Sequence, residues 1–337
     1  MLPALAVAEA LTARGVQVTF AGSPDRVEAR LVPEAGYELD TFRIAGFPRR
    51  PSPALARALL LAGAAPLACR RILRARKPDV VLGGGGFVAG PMVVAARTLG
   101  IPAALTEADA HLGLANRLAA PFATRMFLAY PLDTRRCAKV RVVGRPIPTR
   151  SRAVPQSDAR EIFELSPTGP VLGIFGALAG AQALNEFAVE TWGTSGPPIL
   201  HVTGQRDFDF VRARARRDDY RVLAETERFG AAISSCDLVL ARSGSTVWEF
   251  AAAGKPAILV PYPFATGDHQ ALNGKHFADA GGAIVVRELE LAGVPDLVRT
   301  LLGDPARLAR MGAAMAQVAR PNAADEIADE LVAMAAR

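Results

Sequence analysis

Short apolar runs recur along this chain at intervals that leave room for a helix between each pair. In the first half they are VQVTFAG, DVVLGG, IPAALTE, RMFLAY and VRVVG. Beyond residue 170 a second series follows: VLGIFGA, PILHVTG, YRVLAET, DLVLARSG, PAILVPYP and GAIVV. Apolar runs of this length, ended by glycine or proline and separated by sequence of helical character, give the βα rhythm of a parallel sheet. Between the two series lies RPIPTRSRAVPQSDAREIFELSPTGP, rich in proline and without either period, which reads as a linker and then a short helix. The pattern predicts an α/β fold of two doubly wound, Rossmann-like domains facing a cleft. Their expected bounds are 1–147 and 148–320, with the last helix, 321–337, packing back toward the first domain. A ligand is expected where the carboxyl ends of both sheets face each other.

The first element is a helix rather than a strand. Pro3 stands in its first turn, Leu5, Val7, Ala8 and Leu11 follow, and Gly15 ends it. Parallel α/β domains normally begin with a strand and a glycine-bearing loop, so the reading expects such a segment upstream of Met1.

Composition narrows the class. With 337 residues, 50% hydrophobic and 21% charged, the chain can bury two cores. Cys69, Cys137 and Cys236 are widely spaced and form no C-x-x-C pair, which excludes a disulfide framework or zinc knuckle and suits a reducing cytoplasm. No signal peptide is visible. The net charge of +6 is uneven: residues 1–150 carry 21 Lys and Arg against 10 Asp and Glu, a net +11, and the remainder is −5. A basic half of this kind can face nucleic acid, an acidic membrane surface or an anionic substrate. The stretch from Ala54 to Cys69 is apolar but interrupted by Arg57 and Pro66, and Arg70, Arg71, Arg74, Arg76 and Lys77 follow it. It is too broken to cross a bilayer. An apolar surface edged with cations suits anionic headgroups; the other reading is a core helix with a solvated basic end.

Three glycine-rich loops carry the candidate chemistry. In LGGGGFVAGP, Gly83 to Gly86 lie at a strand tip before a helix. From Gly84 they match G-x-G-x-x-A, with Glu107 or Asp109 about 20 residues on, which admits a dinucleotide reading beside that of a plain tight turn. In GIFGALAGAQALN, Gly176 and Gly180 allow backbone amides to approach a phosphate, but no G-K-[ST] follows, so this is not a P-loop. The third, DLVLARSGSTVWEF, places Arg242, Ser243, Gly244, Ser245 and Thr246 where a helix begins, and an anion is expected there. Glu249 turns back toward the helix start, where its carboxylate can accept from a ribose diol or close a capping box with Ser245 or Thr246. After the next strand, Gln270 and Asn273 lie one turn apart and can read sugar hydroxyls. Asp207-x-Asp209 has the spacing of a metal-dependent transferase and equally that of a solvated loop.

LGGGGFVAGP, TEADAHLGLANRLAAPFA, VVGRPIP, RSGSTVWEFAAAGKPAILVPYP and DHQALNG, in this order and spacing, resemble the MurG family of UDP-N-acetylglucosamine transferases. The resemblance runs from Leu2 to the last helix. It implies a GT-B fold and an inverting transfer, without metal or cofactor, from UDP-GlcNAc to an undecaprenyl-diphosphate-linked muramoyl peptide, the lipid I to lipid II step of peptidoglycan synthesis. It further implies a peripheral place on the cytoplasmic face of the membrane, an anionic lipid surface as partner, and no nucleic acid. Carried over by position, Glu249 binds the uridine ribose, Arg242 with the amides of 243–246 lies near the diphosphate, Gln270 and Asn273 hold the N-acetylglucosamine, and backbone from Thr226 to Phe229 meets the uracil. Gly85, Gly86, Asp109, Gly176 and Gly180 complete the substrate-binding set. The family's catalytic histidine sits in a G-G-T-G-G-H-x-x-P loop whose final proline corresponds to Pro3. His111, His201, His269 and His276 lie elsewhere in the motif order, which leaves Asp109 as the nearest alternative base. The sequence departs from the family at Phe87, Asp109, Pro148 and Leu178. A related transferase with another UDP-sugar or lipid acceptor, and a non-catalytic UDP-sugar-binding module, are the competing readings.

Overall fold

The computed structural model describes residues 1–44, 53–132, 139–176 and 181–336. The chain divides into two compact units, one of Met1–Pro148 with Pro321–Arg337 and one of Thr149–Arg320. Each is a layered α/β body built on parallel strands.

In the first unit the strands Val81–Gly83, Ala103–Glu107, Arg125–Leu128 and Val140–Val142 pair in sequence order. Thr19–Gly22 and Glu38–Thr41 form a separate parallel pair. Among the described residues no ladder joins the pair to the four-stranded sheet. A shared core does, in which Phe42 and Ala21 meet Leu73, Val93 and Leu105. The opening helix, Leu2–Thr12, has proline in its first turn as its sequence requires, and it buries Leu5, Ala6, Val7 and Ala8. The last helix, Ala323–Ala335, packs on it: Val7 shares a cluster with Ile327, Leu331 and Met334, and Arg14 bridges Asp325 at 3.0 Å and Asp329 at 2.9 Å.

The helix Pro53–Arg76 turns different residues to the core and to solvent. Ala65, Cys69 and Leu73, four residues apart, are buried in the core. Leu67 is 65% exposed, and Arg71, Arg74 and Lys77 also face solvent. Arg70 donates to Thr98 Oγ1 at 3.0 Å, and Arg76 pairs with Asp40 and Glu38. No helix among the described residues is long and apolar enough to cross a membrane.

The second unit holds a six-stranded parallel sheet in the spatial order Ala283–Val285, Ala257–Leu259, Leu238–Ala241, Leu172–Phe175, Ile199–Val202, Tyr220–Leu223. The two central strands are buried at every position and the two outermost only in part. This explains why central strands read as unbroken apolar runs. Strand order reverses between Leu172–Phe175 and Leu238–Ala241. A sheet of this kind opens a crevice beyond the carboxyl ends of the strands at that reversal.

Candidate functional site

The loops after Phe175 and Ala241 flank the reversal, and they are the second and third glycine-rich loops of the sequence. The backbone of Phe175 continues into Gly176, where an added Cβ would lie 3.1 Å from Asn185 Oδ1 and 3.2 Å from Thr203 O, so only glycine makes this turn without displacing them. Gly180 and Leu178 fall outside the described residues. Phe229, which opens the helix Phe229–Ser234, stacks edge-on against Phe175 with centroids 5.6 Å apart. The segment Thr226–Phe229 is thereby brought to the same end of the sheet. Thr226 Oγ1 accepts from Arg228 N at 3.1 Å, closing a turn.

Beyond Ala241 the helix is short. It runs only from Val247 to Ala252, and Gly254, at φ +61°, lies just past its end. Its dipole is correspondingly small, so an anion here would rely on the amides of the loop and on the hydroxyls of Ser245 and Thr246, both partly exposed. Thr246 makes no side-chain capping bond, so a capping box between Thr246 and Glu249 is not realised. Glu249 is buried in the first turn at 2% exposure.

Two of the expected residues are held by contacts within the unit. Arg242 is 8% exposed, and its Nη1 donates to Val260 O at 3.4 Å and Pro261 O at 3.3 Å. Its Nη2 pairs with Glu288, and the guanidinium lies 5.6 Å from the Tyr262 ring centroid. The side chain is thus engaged within the unit, next to the loop that bears Ser245 and Thr246. Asn273, also expected to hold sugar, is fully buried and donates to Ser243 O at 3.2 Å, supporting the loop from beneath. Gln270 is the one of the pair that reaches solvent. Its Oε1 accepts from Tyr262 N at 2.9 Å.

A buried polar chain behind the crevice escaped the sequence reading. His201 Nδ1 lies 2.9 Å from Tyr220 OH and its Nε2 lies 3.0 Å from Asn185 Oδ1. Asn185 Nδ2 donates to Thr203 O and to Asp207 Oδ2, each at 2.9 Å. Because that amide gives its N–H groups away, Oδ1 accepts, and His201 carries its proton on Nε2. Burial pushes His201 down to about 3, against a smaller opposing pull from Asp207. Asp207 also pairs with Arg206, and this pair chiefly holds its carboxyl below the usual range. Asp207 belongs to this chain, and no metal-ligating cluster occurs among the described residues.

In the first unit Gly85 and Gly86, at φ +87° and +71°, turn the chain from Val81–Gly83 into the helix Gly86–Thr98. Arg26 stacks 5.7 Å from the Phe87 ring centroid. Glu107 organises the next loop. Its Oε1 accepts from Ala108 N and Asp109 N, and its Oε2 accepts from Gly113 N and Asn116 Nδ2, at 2.9 to 3.4 Å. Asp109 rides on this loop, partly exposed, and Pro148 closes the unit. Leu114, Leu118 and Phe122, four residues apart, are 61%, 63% and 41% exposed. Their spacing was legible as one helical face.

Two parallel α/β units, one with a loop-and-amide crevice at its strand reversal, are the architecture of the GT-B fold. Residues 1–128 match the glycosyltransferase family 28 N-terminal domain and residues 171–327 match the C-terminal domain of that family. A UDP-N-acetylglucosamine--N-acetylmuramyl-(pentapeptide) pyrophosphoryl-undecaprenol N-acetylglucosamine transferase of Acidithiobacillus ferrooxidans is 42% identical over 97% of this chain and 92% of its own length. The enzyme of the same name from Rubrobacter xylanophilus is 35% identical over 97% and 98%. The crystal structure of MurG from Acinetobacter baumannii superposes with a TM-score of 0.77 at 30% identity, covering 98% of this chain and 95% of that one. The chain belongs to glycosyltransferase family 28, in the MurG group of N-acetylglucosamine transferases.

Proposed function

We propose that this protein is a hexosyltransferase that moves N-acetylglucosamine from UDP-GlcNAc to the 4-hydroxyl of undecaprenyl-diphosphate-linked N-acetylmuramoyl-pentapeptide, with inversion, converting lipid I to lipid II. The observation that carries this is the switch-point loop Ser243–Thr246 with Glu249 and Gln270 around it, in a chain 42% identical over 97% of its length to an enzyme of that name. The acceptor O4 forms a bond to the anomeric carbon while the bond from that carbon to the β-phosphate oxygen breaks. The proton of the hydroxyl passes to a base and the electron pair leaves with UDP. Amides and hydroxyls of the Ser243–Thr246 loop offset the charge developing on the diphosphate, and Glu249 accepts from the ribose diol. Gln270 reads the sugar, and Asn273 and Arg242 shape the loops that present it. In the first unit, the turn at Gly85–Gly86 and the Glu107-organised loop bearing Asp109 receive the acceptor.

The acceptor is a membrane lipid, and this reading includes peripheral attachment to an anionic bilayer at the cytoplasmic face. Leu67 with Arg71 and Arg74, and the exposed Leu114, Leu118 and Phe122, supply apolar and cationic groups of the kind such attachment uses. Calorimetric titration with UDP, UDP-GlcNAc and UDP-glucose tests the donor assignment. Binding of UDP-GlcNAc tighter than UDP-glucose is expected, and equal affinity for the two sugars overturns it.

A further inference from the structure

We infer that Glu288 is a positioning residue for the donor sugar, acting on Gln270 through Arg242. This rests on the assignment of Gln270 as a sugar reader. Glu288 opens the short helical segment Glu288–Gly293, whose start is fixed by Arg287 N donating to Glu290 Oε2 at 3.1 Å. Its carboxylate takes the Nη2 of Arg242, 46 residues earlier in the chain. The other end of the same guanidinium gathers the carbonyls of Val260 and Pro261. One cation therefore ties three chain segments: the end of the strand Leu238–Ala241, the end of Ala257–Leu259, and the turn after Ala283–Val285.

The residue after Pro261 transmits that restraint. Tyr262 lies over the guanidinium, and its N–H donates to Gln270 Oε1. A backbone N–H only donates, so the amide atom facing it is the oxygen, and Gln270 is left with its NH₂ group toward the loop at Gly244. An added Cβ at Gly244 would lie 3.9 Å from that nitrogen. The site thus offers a sugar the Gln270 NH₂ as a donor at this point. That choice is set by where Arg242 holds Tyr262. Without Glu288 the guanidinium has no anionic anchor, residues 260–262 lose their restraint, and the Gln270 amide rotates freely. A merely structural ion pair would weaken every ligand of the unit alike. This one should act on the sugar and spare the nucleotide.

The full chain is titrated calorimetrically with UDP-GlcNAc and with UDP, as wild type, Glu288→Ala, Glu288→Gln, Gln270→Ala and the Glu288→Ala/Gln270→Ala double variant. Glu288→Ala is expected to weaken UDP-GlcNAc by about tenfold, the loss of one well-placed hydrogen bond, with UDP unchanged. Glu288→Gln, which still accepts from Arg242, retains most of the preference, and the double variant is no weaker than Gln270→Ala alone. Should Glu288→Ala not fold, Glu288→Ser carries the same expectation, since its hydroxyl is too short to reach the guanidinium and carries no charge. Equal weakening of both ligands, an unchanged affinity for UDP-GlcNAc, or tighter UDP binding by Glu288→Ala overturns the inference. The last of these would mean that Arg242 is a diphosphate ligand restrained by Glu288. If the wild type binds UDP but does not prefer UDP-GlcNAc, the sugar-reader assignment itself falls and this inference with it.

Discussion

His201 should make the second unit sensitive to mild acid. The ring is fully buried, its Nε2–H bonded to Asn185 Oδ1 and its Nδ1 to Tyr220 OH, and burial drops its pKa from 6.5 to about 3. In the unfolded chain the same imidazole titrates near its ordinary value. Between pH 6.5 and 3 the unfolded state therefore binds a proton that the folded state refuses. This contribution to stability is fully present above that window and is lost as pH falls through it. One pH unit is worth about 1.4 kcal/mol, so at pH 5 the loss relative to pH 7 is about 2 kcal/mol. Half-buried His276 is also lowered, chiefly by burial, and adds in the same direction. The variant His201→Gln isolates the first effect, because a carboxamide can donate to Asn185 and does not titrate. Trp192 and Trp248, the two tryptophans of the chain, both lie in the second unit, so urea unfolding followed by tryptophan fluorescence reports on it. Wild type should lose about 2 kcal/mol more than His201→Gln between pH 7 and pH 5. Parallel pH profiles for the two proteins would refute the reasoning.

Glu249→Gln should weaken UDP-GlcNAc and UDP together by about 1.5 to 3 kcal/mol, the worth of a charge-assisted bond to the ribose, with an unchanged circular dichroism spectrum. Unaltered affinity with a lowered melting temperature would assign the carboxylate to the fold instead. Sedimentation with anionic vesicles should fall when Arg71 and Arg74 are both changed to serine, and added salt should weaken it in the wild type; equal sedimentation of the variant removes that face from the membrane reading. In native-state hydrogen exchange the amides of Thr19–Gly22 and Glu38–Thr41, a two-stranded pair, should exchange faster than those of Leu172–Phe175 and Leu238–Ala241 at the centre of six strands. Comparable protection would show that the shared core around Phe42 compensates for the missing ladder.

Strand positions and the linker were readable because each depends on a local run of residues. PILHVTG and DLVLARSG announce buried strands without help from the rest of the chain, and Gly254 announces the end of the helix at Ala252. The partners of Arg242 were not readable in that way. A cation beside S-G-S-T looks like an anion ligand, and only the fold shows that Glu288, 46 residues on, has taken it. The surroundings of Asn273 were unreadable for the same reason: spacing puts it one turn from Gln270, but burial decides which of the two meets solvent. His201, Asn185, Asp207 and Tyr220 come from four different segments, and no spacing joins them. The helix Pro53–Arg76 showed its apolar and basic character plainly. What the pattern left open was that one helix could serve the core and the solvent through different faces.

The first unit is discontinuous: the chain leaves it at Pro148 and returns at Pro321. During synthesis, the face of Leu2–Thr12 carrying Leu5, Val7 and Ala8 emerges early, and its packing partners Ile327 and Leu331 emerge last. The second unit, contiguous in sequence, can finish folding on the ribosome in the interval. At an elongation rate of ~5 to 20 residues per second the 311 positions from Arg14 to Asp325 take ~15 to 60 s, and throughout that time the helix face that Ile327 and Leu331 cover is open. This order of birth makes the nascent first unit a natural client for a chaperone that shields apolar helices, and it sets a time, not only an energy, that the chain must survive before Arg14 can meet Asp325 and Asp329.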